Sequence, residues 1–262
     1  MNIVIENCSS PGASFTANTN DVLYSCYEWV SENKGVIKPF IDFRKDVSKA
    51  KGFNDNNARN IYPLLKKAGF VKYEAGGQLY YDDFFTNIGL AYAKALETEK
   101  LIRNSDYSDT KKEESLKKLN EVKTSLICKG LLNLFSSECN YKEDMQSMLE
   151  FLLQYNKISK VEFAYLLFAK KNSSTYISDV SETIAKYREQ EIDILVSVDV
   201  RNDIDVREKT GNSRRKEGLS FLTAYTYFVA LLEQAGLIYK ENSKYMHINQ
   251  SAKGKIQELL EV

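Results

Sequence analysis

The chain has few residues that break helices and few that bind metals. Its 262 residues include three prolines, 12 glycines, four cysteines and one histidine. Long periodic stretches with so few breakers predict a mainly helical protein with small β-hairpins, an α+β fold. Cys8, Cys26, Cys128 and Cys139 are widely spaced and form no Cys-x-x-Cys pair beside His247, so we expect reduced thiols, no metal site and no cofactor.

The sequence also lacks long apolar runs and an excess of either charge. No run of about 18 apolar residues occurs, and residues 1–12 do not have the basic-then-apolar layout of a signal peptide. We therefore expect a cytoplasmic protein with no membrane partner. The 36 basic residues balance the 36 acidic ones, which argues against non-specific coating of nucleic acid but allows a specific binder with local positive charge.

No catalytic motif stands out. The Asp/Glu-x-Lys pattern of nucleases has only poor matches, and the phosphate-binding and nucleophile-elbow motifs do not occur. We expect no catalytic group in this chain, so any endonuclease activity would reside in a separate domain or subunit.

A weak internal repeat is the most informative feature that is present. Leu64–Tyr73 (LLKKAGFVKY) returns 167 positions later as Leu231–Lys240 (LLEQAGLIYK). Each copy predicts a helix, a glycine stop, a short strand, a polar tip, a return strand and a closing helix. This order is the second half of a winged helix, so the repeat predicts tandem winged-helix, or helix-turn-helix, units.

The periodicity predicts helices over 21–33, 40–52 and 54–68, followed by a hairpin that pairs 71–73 with 79–81. Pro63 conflicts with an unbroken third helix, because proline removes a backbone hydrogen bond, so we expect a kink or a helix start there. We place the first winged-helix domain at 1–103, a charged linker or helix at 104–124, and a larger second winged-helix domain at 125–262. The helices predicted in this second domain span 125–135, 144–155, 160–170, 177–191 and 219–235.

The start of the third helix is the first candidate DNA-reading surface. In a helix-turn-helix the third helix enters the major groove, where asparagine pairs with adenine and arginine with guanine. Capping before a helix explains one or two asparagines but not a cluster of them. The candidate reading residues are Asn54, Asn56, Asn57, Arg59 and Asn60.

A basic segment before the second copy is the other candidate surface. Residues 201–216 contain arginines, lysines and short polar residues that can donate hydrogen bonds to phosphate oxygens. The alternative is a solvated loop with scattered ion pairs. Lysines near the two predicted wings add further phosphate contacts. The candidates are Arg207, Lys209, Asn212, Ser213, Arg214, Arg215 and Lys216 in the segment, and Lys72, Lys240 and Lys244 at the wings.

The run Ala68–Tyr73 (AGFVKY) with Thr86–Lys94 (TNIGLAYAK) resembles the first winged-helix unit in the recognition region of FokI-like type IIS restriction endonucleases. Leu231–Ile238 is similar to the helix and strand of the next subdomain. The resemblance implies binding to a short asymmetric duplex DNA site and a separate nuclease domain that cuts at a distance. Two alternatives stay open: a winged-helix transcription or plasmid-replication regulator, and a winged-helix protein–protein module of a larger assembly.

Overall fold

The structure is a computed structural model that describes residues 1–6, 8–199, 215–217, 222–242 and 244–262, with the backbone alone at Asn57, Asp199 and 215–217. It is mainly helical with small sheets, as the sequence predicts. No helix among the described residues is long and apolar enough to cross a membrane.

The chain divides into two compact units. The N-terminal unit comprises Gly12–Glu138 with Gln234–Gly236, and the C-terminal unit comprises Met1–Pro11, Cys139–Glu233 and Leu237–Val262. The stretch 104–124, expected to be a linker or helix, lies mostly within one long helix of the N-terminal unit, which runs from Asp109 to Ser136.

The N-terminal unit packs six helices and a two-stranded sheet around a core rich in phenylalanine and tyrosine. Strand β2 pairs antiparallel with β3, so Ile37 lies opposite Tyr80. A short 3-10 helix, Tyr81–Asp83, follows β3. The elements are α1 (Ala17–Glu32), β2 (Ile37–Pro39), α2 (Phe40–Lys51), α3 (Asp55–Ala58), α4 (Ile61–Lys67), β3 (Gln78–Tyr80), α5 (Asn87–Arg103) and α6 (Asp109–Ser136).

The C-terminal unit contains two three-stranded sheets. In one, β1 (Asn2–Glu6) pairs parallel with β5, which pairs antiparallel with β6. In the other, β8 lies between β4 and β7 and is antiparallel to both. The remaining elements are α7 (Lys142–Tyr155), β4 (Lys157–Ser159), α8 (Lys160–Lys170), α9 (Tyr176–Asp179), α10 (Ser181–Arg188), β5 (Leu195–Asp199), β6 (Arg215–Glu217), α11 (Thr223–Gln234), β7 (Ile238–Lys240), β8 (Tyr245–Ile248) and α12 (Lys253–Leu260).

The repeat extends further toward the N-terminus than the sequence comparison indicates. In both units a three-residue strand runs directly into a helix, β2 into α2 and β4 into α8. Phe43 and Phe163, each the fourth residue of its helix, are fully buried. Helix α8 begins 120 residues after α2, whereas Gly236 follows Gly69 by 167 residues. The second copy therefore holds a 47-residue insertion between the start of α8 and Gly236.

One predicted hairpin is wrong and the other is confirmed. The return strand Gln78–Tyr80 pairs with β2, and Val71 makes only an isolated bridge to Phe85, so 71–73 and 79–81 do not form a hairpin. In the second copy β7 and β8 do pair as a hairpin. Gly69 and Gly236 both have a φ of 71°, the left-handed conformation expected of a glycine that ends a helix.

The buried thiol of Cys26 gives a first testable prediction. This side chain on α1 is 1% exposed, and burial raises its pKa to about 12. At pH 8 the reactive thiolate is therefore about a thousandfold scarcer than for a thiol of ordinary pKa. We expect iodoacetamide to leave Cys26 unmodified in the folded protein and to modify it in urea, as read by peptide mass mapping. Rapid modification without urea would contradict this packing.

Candidate nucleic-acid interface

The predicted reading segment is held in place by a helix cap and an ion pair. The Asn54 side chain caps α3 by accepting a hydrogen bond from the Asn56 backbone N–H at 2.9 Å. Arg44 on α2 contacts Asp55 at the start of α3, with 2.6 Å between Nε and Oδ1. Both side chains are partly buried, so this pair fixes α3 against α2. Capping therefore accounts for Asn54, and the exposed side chains of Asn56, Arg59 and Asn60 remain for contact with a ligand.

Helix α4 begins two residues before Pro63, which removes the expected conflict. Pro63 falls in the first turn, where a backbone N–H has no partner within the helix. Arg59 and Asn60 between α3 and α4 keep right-handed helical backbone angles. The chain therefore continues along nearly one helical path, although α3 and α4 are separate helices.

One face of this path is apolar and the opposite face is polar. Ile61, Tyr62, Leu64 and Leu65 pack into the core of the N-terminal unit. The exposed residues recur every three or four positions, which places them on one side of a helix. We call this set the α3–α4 stripe: Asn56, Arg59, Asn60, Pro63 and Lys66.

An open groove of about 620 Å³ lies beside the C-terminal end of the stripe. Lys66 and Lys72 line it, and the Lys66 Nζ lies 5.0 Å from the centre of the Tyr73 ring. Tyr73 stacks on Phe40, with ring centres 3.8 Å apart. Burial raises the pKa of Tyr73 to about 12, so its phenol stays protonated at neutral pH. The groove is lined by two cations, Lys66 and Lys72, by two carboxylates, Glu74 and Asp83, and by the neutral Tyr73 ring.

The structure brings some of the sequence-predicted residues together and leaves others undescribed. Asn54, Asn56, Arg59 and Asn60 lie on the reading segment; Asn57 lies in α3, but its side chain is not described. Lys72 lines the adjacent groove. Arg207, Lys209, Asn212, Ser213 and Arg214 lie outside the described residues, and Arg215 and Lys216 are described only as backbone in β6.

The C-terminal unit presents a different surface. Its helix α11 has the sequence TAYTYFVALLEQ, which contains no lysine, arginine or asparagine. Lys240 and Lys244 are exposed on the β7–β8 hairpin. The Asn242 side chain accepts hydrogen bonds from the backbone N–H groups of Lys244 and Tyr245, both at 2.9 Å, which holds the tip of this hairpin. The described cations of this unit's candidate site are therefore on the hairpin and not on the helix.

The sequence analysis missed Lys66 and Tyr73. Lys66 follows Arg59 by seven residues, a spacing that places two side chains on the same helical face. The sequence alone therefore carried the signal for Lys66. Tyr73 could not be assigned in this way, because it lies outside the helices and stacks on Phe40 at the start of α2.

No group of three or more histidine, cysteine, aspartate or glutamate side chains that could hold a metal ion occurs in the part of the chain that the structure describes. Comparison with protein-family models, curated proteins and solved structures finds no match to this chain. Its function therefore has to be inferred from its own residues.

Proposed function

We propose that this protein recognises a specific duplex DNA sequence through winged-helix units. The observation that carries the proposal is the α3–α4 stripe, an exposed polar helical face fixed to α2 by the Arg44–Asp55 ion pair. Asparagine and arginine on such a face pair with base edges in the major groove. Lys66 and Lys72 in the neighbouring groove are placed to contact the phosphates that flank those bases.

The order of elements supports the winged-helix assignment. The N-terminal unit runs helix, strand, helix, helical reading segment and strand. The C-terminal unit has the same order, interrupted by the 47-residue insertion between α8 and α11, and β8 lies in the centre of its β4–β8–β7 sheet. In DNA-binding proteins with this order of helices, the third helix is the one that enters the major groove.

The two units differ in ways that favour an asymmetric DNA site. The N-terminal unit offers asparagine and arginine on a helix, whereas α11 offers neither. Two unequal readers on one chain suit a short asymmetric sequence better than a palindrome. We therefore place the protein as the target-recognition part of a type IIS-like restriction system, which acts in the cytoplasm with a nuclease in a separate domain or subunit.

A protein–protein module is the second candidate, and one surface favours it. Ile37 is 63% exposed, its cross-strand partner Tyr80 is 41% exposed, and Ile41, the second residue of α2, is 48% exposed. A clustered apolar patch of this kind is typical of protein contacts. A chain that bound no duplex even at low salt, and that captured a protein partner through this patch, would favour this candidate.

Selection of bound duplexes from a random library tests the proposal. We expect one asymmetric consensus for the parent chain, and for Arg59→Ala a loss of about 1–3 kcal/mol of discrimination at one base pair. Arg103→Ala is the control, because it removes the same charge from α5, where Arg103 contacts Glu99. Competition binding at fixed salt measures both variants.

Two outcomes would contradict the assignment of the stripe. One is an unchanged consensus and unchanged discrimination in Arg59→Ala. The other is an equal loss in Arg103→Ala, since that would reflect net charge and not base reading. A symmetric consensus would instead argue against the restriction-type role and favour a regulator.

A further inference from the structure

The outer face of the β4–β8–β7 sheet carries a row of aromatic and basic side chains. His247 in the central strand pairs with Lys157 on one side and with Tyr239 on the other. Cross-strand partners point to the same face of a sheet, so these three side chains form one row. The neighbouring residues along the strands point to the opposite face of the sheet and are buried: Ile158, Met246 and Ile248. The inner side of the sheet therefore belongs to the core, and the outer side is a polar and aromatic surface.

Rings and ammonium groups interleave on this surface. Tyr239 is 48% exposed and stacks on His247, with ring centres 5.7 Å apart and planes 30° from parallel. The Nζ of Lys157 lies 4.6 Å from the centre of the Tyr245 ring, and the Nζ of Lys244 lies 5.2 Å from it. Lys244 also lies 4.7 Å from the Tyr187 ring of α10.

Glu241, an acidic side chain at this surface, is already engaged by the row. Glu241 contacts His247, with 2.8 Å between Oε2 and Nε2. Among the described residues, the ammonium groups of Lys157 and Lys244 face aromatic rings and form no ion pair, so their charges are available to an anionic ligand. A ligand that matches the surface must combine negative charge with flat rings.

We propose that this sheet face binds single-stranded nucleic acid, with Tyr239 stacking on an unpaired base and Lys157 and Lys244 contacting the adjacent phosphates. Bases within a duplex are stacked on each other and cannot reach a flat protein surface, whereas an unpaired base can. This site goes beyond duplex recognition by the α3–α4 stripe and uses none of its residues.

Fluorescence anisotropy of a labelled oligo(dT) strand with the full chain tests the proposal. Tyr239→Ala should weaken binding by about 5- to 150-fold, the effect of losing one base–aromatic stack. Tyr239→Trp should restore it. Lys157→Ala and Lys244→Ala should each reduce the slope of log affinity against log salt by about 0.7.

Tyr107→Ala is the matched control, because Tyr107 of the N-terminal unit is 47% exposed and has the Lys111 Nζ 4.0 Å from its ring centre, but lies on no strand. It should leave oligo(dT) affinity unchanged. The proposal is overturned if the parent does not bind oligo(dT) at low salt, if Tyr239→Ala binds like the parent, or if Tyr107→Ala weakens binding equally. Duplex selection with the same Tyr239→Ala protein separates the two functions, because base discrimination at Arg59 should persist.

Discussion

Replacing Gly89 with alanine is expected to lower the free energy of unfolding of the N-terminal unit by about 3 kcal/mol. Gly89 is buried in the first turn of α5, where this helix crosses the backbone of Phe70. An added Cβ would overlap the Phe70 carbonyl oxygen and lie 2.7 Å from the carbonyl carbon. Backbone cannot rotate away as a side chain can, so the two segments must separate.

The same contact is reinforced by the cap of α5, which limits how far the helix can move. The Thr86 backbone N–H donates to the Phe70 carbonyl oxygen at 3.1 Å. The Thr86 hydroxyl oxygen in turn accepts from the Gly89 N–H at 3.1 Å. Any shift that relieves the alanine overlap therefore lengthens these bonds. The gain in helix propensity from glycine to alanine, about 1 kcal/mol, offsets only part of this cost.

Trp29 supplies the measurement, since it is the single tryptophan and lies in α1 of the same unit. Its fluorescence during urea unfolding should show a lower midpoint for Gly89→Ala. Gly76→Ala is the matched control: Gly76 lies in the loop before β3 of the same unit, is exposed, and an added Cβ meets nothing within 4 Å. It should be neutral or slightly stabilising. An unchanged Trp29 midpoint in Gly89→Ala would contradict the close crossing of α5.

Caps and apolar periodicity predicted the helices well, because both are determined by residues that lie close together in the sequence. The capping box of α8 is an example: the Ser159 side chain accepts from the Glu162 N–H and the Glu162 side chain accepts from the Ser159 N–H, as the sequence pattern predicts. The helix Asp109–Ser136 was predicted in two parts, since its first half is charged and lacks apolar periodicity. Its path depends on packing against α5, which includes the ion pair between Lys123 and Glu99.

Pairings between distant segments could not be predicted from one sequence. Strand β1 pairs with β5, with Asn2 opposite Leu195, and nothing near β1 in the sequence identifies this partner. The predicted 71–81 hairpin is wrong for the same reason: the return strand finds its partner in β2. The row of Lys157, His247 and Tyr239 likewise depends on register across three strands. By contrast, the asparagines and Arg59 of the reading segment could be selected as candidates from the local sequence alone, because they cluster at the start of a predicted helix.

Glu162 and Arg188 form the ion pair whose disruption should have the largest effect on the C-terminal unit. The Glu162 side chain is 0% exposed, and its Oε1 lies 2.6 Å from the Arg188 Nε. Its Oε2 accepts the Ser159 N–H at 2.6 Å. Arg188 also donates to the Lys157 carbonyl oxygen at 2.8 Å, so one guanidinium joins α10 to both β4 and α8. Asp42 occupies the equivalent position of α2, but its side chain is exposed and needs no cation to offset the cost of burying its charge.

Arg188→Met should therefore destabilise the C-terminal unit by about 3 kcal/mol, because it leaves the Glu162 carboxylate buried without its cation. Adding Glu162→Gln to this variant should recover at least half of the loss, since the amide oxygen still caps α8 but carries no charge. Urea unfolding followed by circular dichroism gives the total change, and hydrogen exchange of the α8 amides locates it. The prediction is wrong if Arg188→Met loses less than about 1 kcal/mol, or if the double variant is no more stable than Arg188→Met. Either result would mean that the guanidinium does not compensate the buried charge of Glu162. Recovery by Glu162→Gln would instead establish that the insertion carrying α10 stabilises the β4–α8 junction through this one charge.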